Sequence, residues 1–274
     1  MTLKNFRSSS FLTRLLSGIL LVVIALATII AGGNVLFVTL LLVSMAGVYE
    51  LYRVFKIDRS PAGFAGYAAV IAYYILLRAG FSPYFVIFFV IFLMCLMALY
   101  VFMYPRISAR EVESALFGMV YCAVMLSFIY MIRQDDGGAI NVWLVFLASW
   151  GSDTCAYVAG MAFGKHPMTP RLSPKKTVEG AVGGVIGAGL LGLIYAVIFK
   201  DAVSAAVDIR IAYPIICVLG ALVSMVGDLA ASAIKRNYEV KDYGKLIPGH
   251  GGIMDRFDSV IFVAPLIWLL FLFF

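Results

Sequence analysis

Charge is scarce in this sequence. Only 13% of its 274 residues are Asp, Glu, Lys or Arg, against 63% hydrophobic, a balance that excludes an ordinary soluble domain. Histidine occurs twice. The cysteines, Cys95, Cys122, Cys155 and Cys217, lie singly in apolar stretches with no Cys-x-x-Cys pair and no Cys/His cluster. A zinc site and a disulfide framework are thereby both disfavoured, and the cysteines read as small buried hydrophobes. Internal repeats and low-complexity tracts are missing. So are polar segments long enough for a separate soluble domain, and no nucleic-acid partner is expected.

What is present is a series of long apolar runs. A helix needs about 20 apolar residues to cross roughly 30 Å of hydrocarbon. Nine stretches reach or approach that length: residues 12–31, 34–49, 63–77, 83–103, 112–132, 139–163, 178–199, 211–233 and 255–274. Backbone groups in lipid must pair internally, and uninterrupted runs of this kind read as helices rather than barrel strands. The expected fold is an all-α integral membrane protein, a polytopic bundle of about nine transmembrane helices. The apolar run from Leu15 to Ala31 is longer than a secretory signal core and is expected to be a retained span.

Sidedness follows from the basic residues. Of the 21 lysines and arginines, all but Arg78, Arg133, Lys200 and Arg210 lie in the N-terminal segment or in alternate connections. The positive-inside rule then puts the N-terminus in the cytoplasm, and nine crossings put the C-terminus outside. A multi-pass protein of the cell inner (plasma) membrane is expected.

The two halves differ in character. Residues 1–135 read as scaffold, about five spans without an interior acid or base. Residues 136–274 read as the catalytic half of one continuous membrane domain, about four spans with two basic cytoplasmic loops. This half contains Asp153, Glu179 and Asp228 within spans, and Asp255 and Asp258 at the mouth of the last. An ionisable group at bilayer depth costs at least a few kcal/mol and is a functional candidate by default. Asp153 falls in the cytoplasmic half of its span, and Asp228 in the last two turns of the next inward-running one. The 17 residues from Asp258 to Phe274 rise only about 25 Å as a helix. That helix must therefore start at or before Asp255, which puts Asp255 and Asp258 on one face at the inner boundary. Three spans would bring carboxylates to one level. In "EGAVGGVIGAGLLG", Gly180/Gly184 and Gly183/Gly187 recur at close-packing spacing. Packing within the bundle is the preferred account, and a homodimer seam is the alternative.

The charged residues near the C-terminus suit phosphate chemistry. Asp228, Ser232, Lys235 and Arg236 share a helical face. The chain then passes through "IPGHGG" into a new helix, and the Gly251–Gly252 pair before a helix N-terminus would offer backbone N–H groups to an anion. Carboxylates at Asp228, Asp255 and Asp258 suit a hard cation such as Mg²⁺. A second basic loop holds Lys165, Arg171, Lys175 and Lys176 and ends in Thr177, a plausible N-cap with Glu179 in the first turn after it. Each feature has a plainer reading. Asp153 could bond a neighbouring helix, and Asp228 and Asp255 could pair with Lys235 or Arg256. His250 could be a turn residue, His166 incidental, and Glu239 a solvated surface charge.

"SAIKRNYEVKDYGKLIPGHGGIMDRFD", Ser232 to Asp258, resembles the signature of the phosphatidate cytidylyltransferase (CDP-diacylglycerol synthase) family. "SDTCAYVAGMAFGKH" and "RLSPKKTVEG", between Ser152 and Gly180, resemble that family as well. The likeness covers the back half of the chain. It implies transfer of the cytidylyl group of CTP to phosphatidic acid at the cytoplasmic membrane boundary, with Mg²⁺ as cofactor. Catalytic roles would fall to Asp153, Asp228, Lys241 and Asp242, and to His250, Asp255, Arg256 and Asp258. Lys175, Lys176, Ser232, Lys235, Arg236, Gly251 and Gly252 would bind substrate, and Asp228, Asp255 and Asp258 the metal. A phosphate monoester with a second pKa near 6 is already largely dianionic, which weakens His250 as a base. The competing expectations are a CTP-dependent polyprenol-type lipid kinase and, more remotely, a transporter.

Overall fold

The computed structural model describes residues 3–203, 207–247, 249 and 251–274, with the side chains of 3–16 and 82 left out. The first helix, α1 (Leu3–Ala31), has Ser17–Ala31 as its described apolar part. Seven further helices are long and apolar enough to cross a membrane: α2 (Gly33–Phe55), α3 (Pro61–Arg78), α4 (Phe85–Phe102), α5 (Ala109–Gln134), α6 (Gly138–Phe163), α7 (Val178–Phe199) and α8 (Ile209–Asn237). A shorter helix, α9 (Met254–Leu270), closes the series at 17 residues. The chain is thus a mostly helical, multi-pass membrane protein. Seven described helices meet the length and apolarity of a span, against about nine expected.

Helix ends are set by local chemistry. α3 starts at Pro61 behind Ser60, whose hydroxyl accepts the Gly63 N–H. Ser108 and Glu111 close a capping box at the start of α5, which satisfies two otherwise orphaned donors. Thr177 caps α7 by accepting the Gly180 N–H at 3.1 Å, as its sequence context predicts. Asp208 caps α8, and hydrogen bonds from Arg210 hold its carboxyl down at about 2.

Packing divides the chain into two compact units. One comprises residues 1–127 and 240–256, the other residues 128–239 and 257–274. In the first, Tyr52 is fully buried and its hydroxyl donates to the Ala115 carbonyl. A Cβ at Gly66 or Gly118 would strike the Tyr52 ring, so these glycines let α3 and α5 close on it. α4 packs little of itself away: only 11% of its most apolar window is buried, which leaves it a lipid-facing wall.

In the second unit the glycine stripe of α7 meets α6. A Cβ at Gly183 would come 2.2 Å from that of Ala159, and one at Gly187 2.5 Å from that of Cys155. The stripe is used for packing inside the chain, which leaves the homodimer alternative without these glycines as its seam. The basic loop before α7 contains a hairpin that the sequence reading did not foresee. Strands β1 (Pro167–Thr169) and β2 (Ser173–Thr177) pair antiparallel, with Pro167 opposite Thr177 and Thr169 opposite Ser173. Prolines at 167, 170 and 174 favour an extended backbone over helix, and the hairpin is their result.

The expectation of no interior acid in the early spans fails at a buried residue of α2. Hydropathy ends the second stretch at residue 49, but α2 continues to Phe55, where Lys56 stops it in the left-handed conformation. Glu50 therefore lies within the helix, and it is buried at 4% exposure.

Candidate functional site

The second unit gathers Asp153, Asp228 and Asp258 from three helices. Asp153 follows a π-helical turn, Leu147–Gly151, in α6. Such a turn holds one extra residue and swings the side chains beyond it by about 100°, which redirects Asp153. Asp228 stands on α8, immediately after Gly227. A Cβ at Gly227 would lie 2.8 Å from the Asp258 carbonyl oxygen and 3.0 Å from the Phe262 ring. The missing side chain lets α8 and α9 approach closely at the level of the two aspartates.

Electrostatics tie the three together. Asp228 is a neighbouring charge of both Asp153 and Asp258, and Asp153 is a neighbour of Asp258. Lys176, from the end of β2, makes an ion pair with Asp228, both side chains being about three-quarters buried. Lys235 is a neighbouring positive charge of Asp258. Ser259 donates its hydroxyl to Asp153 at 3.3 Å and its N–H to Asp258 at 2.8 Å. Ser232 approaches Asp228 at a long 3.5 Å. The plainer reading of Asp153, a bond to a neighbouring helix, is therefore also true of it, through Ser259.

Three carboxylates face two ammonium groups here, so the cluster is short of positive charge. Among the described residues no group of three His, Cys, Asp or Glu side chains stands ready to hold a metal ion, and the cation resting on Asp228 is Lys176 itself. A donor set of carboxylate and hydroxyl oxygens nevertheless fits a hard divalent cation such as Mg²⁺, which needs few protein ligands. Lys175 and Arg236 are exposed close by in sequence. His166, expected to be incidental, closes the base of the hairpin: its ring pairs with Glu179, whose Oε2 also accepts the Lys165 and His166 N–H groups.

The first unit holds the remaining expected residues, on the segment 240–256. Ile247 and Gly251 form an isolated antiparallel bridge. His250 lies outside the described residues. Asp255 accepts the Tyr243 and Gly252 N–H groups on one oxygen, each at 2.9 Å. Glu50 accepts the next two, from Ile253 and Met254, each at 3.0 Å. Of the two N–H groups expected to receive a substrate anion, that of Gly252 thus points at the protein's own Asp255. The glycines have another physical reason. Gly251 has φ +86, and a Cβ at Gly252 would come 2.3 Å from Glu50 Oε2. Lys241, Asp242 and Arg256 are exposed on the same segment. Glu50 is the residue that sequence reading missed. Its only signal was an acid directly abutting an apolar stretch.

Comparison with known proteins covers nearly the whole chain. Residues 12–274 match the cytidylyltransferase family. A protein of Thermotoga maritima named phosphatidate cytidylyltransferase is 36% identical over 168 residues, 61% of this chain and 62% of that one. Its namesake from Staphylococcus saprophyticus is 38% identical over 165 residues, 59% and 60% of the two chains. That from Bacillus subtilis is 37% identical over 162 residues, 58% of each. The chain spans about three-fifths of the length of the curated relatives it matches. With its match running from the first apolar run through the acidic cluster to Phe274, the chain belongs to the cytidylyltransferase family.

Proposed function

We propose that this protein transfers the cytidylyl group of CTP to phosphatidic acid, releasing pyrophosphate and forming CDP-diacylglycerol. The observation that carries the proposal is the cluster of Asp153, Asp228 and Asp258 with Lys176 and Lys235, in a family whose matched relatives bear the name phosphatidate cytidylyltransferase. A phosphate oxygen of the lipid attacks the α-phosphorus of CTP. The bond from that phosphorus to the bridging oxygen breaks, and pyrophosphate leaves with the electron pair. The lipid phosphate is largely dianionic near neutral pH, so no side chain has to remove a proton. The protein's task is alignment and charge compensation. Lys176 and Lys235 with the adjacent Lys175 and Arg236 neutralise the triphosphate, and Lys176 exchanges Asp228 for phosphate as substrate arrives. Mg²⁺ held by Asp228 and Asp258 with Asp153 would supply Lewis-acid stabilisation of phosphoryl charge. Asp255, also expected as a ligand, has one oxygen committed to loop amides in the other unit. Active-site residues face the cytoplasm of the inner membrane, where CTP is found and the basic loops would lie.

The test follows the label. Purified protein with phosphatidic acid, Mg²⁺ and CTP labelled at the α-phosphorus should place label in lipid, and should not do so with diacylglycerol or a polyprenol. Label entering lipid from the γ-phosphorus would mean phosphoryl transfer, the kinase reaction, and would overturn the proposal.

A further inference from the structure

Glu50 is costly where it stands. It is 4% exposed, within an apolar helix, and burying a carboxylate costs several kcal/mol unless its hydrogen bonds are replaced. Two replacements are backbone N–H groups: Ile253 donates to Oε1 and Met254 to Oε2, each at 3.0 Å. These are first-turn donors of α9, which every helix leaves without an internal partner. A serine or aspartate beside the turn could cap them locally with no buried charge. The chain instead brings a carboxylate from more than 200 residues away.

The surroundings are cut to that carboxylate. A Cβ at Gly244 would lie 2.2 Å from Glu50 Oε1, and one at Gly252 2.3 Å from Oε2. Two glycines of one loop are therefore needed because Glu50 is there. Asp255 completes the arrangement by taking the N–H groups of Tyr243 and Gly252. Together the two carboxylates take up successive donors from Gly252 to Met254 and hold both ends of the loop, Tyr243–Gly244 and Gly252–Met254.

We propose that Glu50 is a positioning residue for the reaction, a fixed anchor that sets the loop bearing Lys241 and Asp242 and the first turn of α9 with Asp255. This rests on the reading of the chain as a cytidylyltransferase. Glu50 acts through the turn it holds, and it touches neither the lipid nor the nucleotide. Binding of CTP then depends on it weakly and turnover strongly, because misplacement of the reacting groups by about 1 Å costs up to 10²-fold in rate.

Glu50→Gln tests this in the full-length protein. The carboxamide keeps the shape but turns one acceptor into a donor, which then faces a backbone N–H. Turnover should fall about tenfold or more, with the KM for CTP changed less than about threefold. Hydrogen exchange of the 252–254 amides should quicken, while the helices of the second unit keep their protection. Gly252→Ala gives a second reading. It should be damaging in the wild type and better tolerated beside Glu50→Asp, whose shorter side chain withdraws from the new Cβ. A merely structural contact would lower the melting temperature without this split between kcat and KM. Wild-type turnover in folded Glu50→Gln protein, or additive effects of the Gly252 and Glu50 changes, would overturn the proposal. A wild-type protein inert towards phosphatidic acid and CTP would instead refute the activity on which it rests.

Discussion

Replacing Gly227 by alanine is the smallest change that should separate Asp228 from Asp258, two aspartates of the proposed site, without touching either. The added Cβ would stand 2.8 Å from the Asp258 carbonyl oxygen, where ordinary contact begins at 3.4 Å. α8 and α9 must therefore part by roughly 0.6 Å, since a helix backbone cannot rotate away as a side-chain tip can. Two terms oppose each other in stability. Alanine favours helix over glycine by about 1 kcal/mol, and overpacking costs about 1–3 kcal/mol. The net loss should be small, about 0–2 kcal/mol by those figures. Activity should suffer more, because the displacement falls between Asp228 and Asp258. A shift of this size predicts roughly a tenfold loss of turnover, given that 1 Å can cost about 10²-fold. Thermal unfolding in detergent and CDP-diacylglycerol synthesis in mixed micelles measure the two effects separately. Gly189→Ala is the control, since its Cβ would meet only the end of the Val218 side chain, at 2.9 Å. It gains the same helix propensity, and activity should stay within about twofold. If Gly227→Ala turned over like the wild type, close approach of α8 to α9 could not be what sets the site.

Two further outcomes bear on charge and sidedness. Asp228→Asn keeps size but removes the charge that holds Lys176 and would bind a divalent cation; turnover should fall about 10²-fold or more with the fold intact, and near-normal turnover would remove Asp228 from the metal set. Single cysteines at Ser173 and Lys245, in a background without the four natural cysteines, should react only from the cytoplasmic side, and one at Asp201 only from outside. Labelling of position 245 from outside in sealed, correctly inserted vesicles would reverse the orientation.

Some of this was legible in the sequence for definable reasons. Long apolar runs can satisfy their backbones only as helices, so the spans are visible without a structure. Asp153 and Asp228 stand out because a carboxylate in such a run is expensive. Thr177 is legible as a cap because the donors it serves are three residues away. Features that depend on distant partners were not legible. The π turn in α6 that redirects Asp153 has no composition of its own, and the hairpin at 167–177 reads only as a basic loop because its strands are three and five residues long.

Glu50 marks the limit most clearly. Its partners are backbone N–H groups, which carry no residue identity, and they come from the opposite end of the chain. Hydropathy moreover ended the second span one residue before it. Yet its imprint was in the sequence all along, as glycine. The pair at 251–252 reads as a place where the backbone opens to an anion, and in the structure the Gly252 N–H meets the carboxylate of Asp255. Glu50 and Asp255 receive the loop's N–H groups, so the glycines make room for the protein's own carboxylates. On the proposed function, substrate phosphate would be met by Lys176 and Lys235 with Lys175 and Arg236, and Lys176 would exchange Asp228 for it. On that proposal the loop held by Glu50 and Asp255 would serve alignment, and the cations would serve charge compensation.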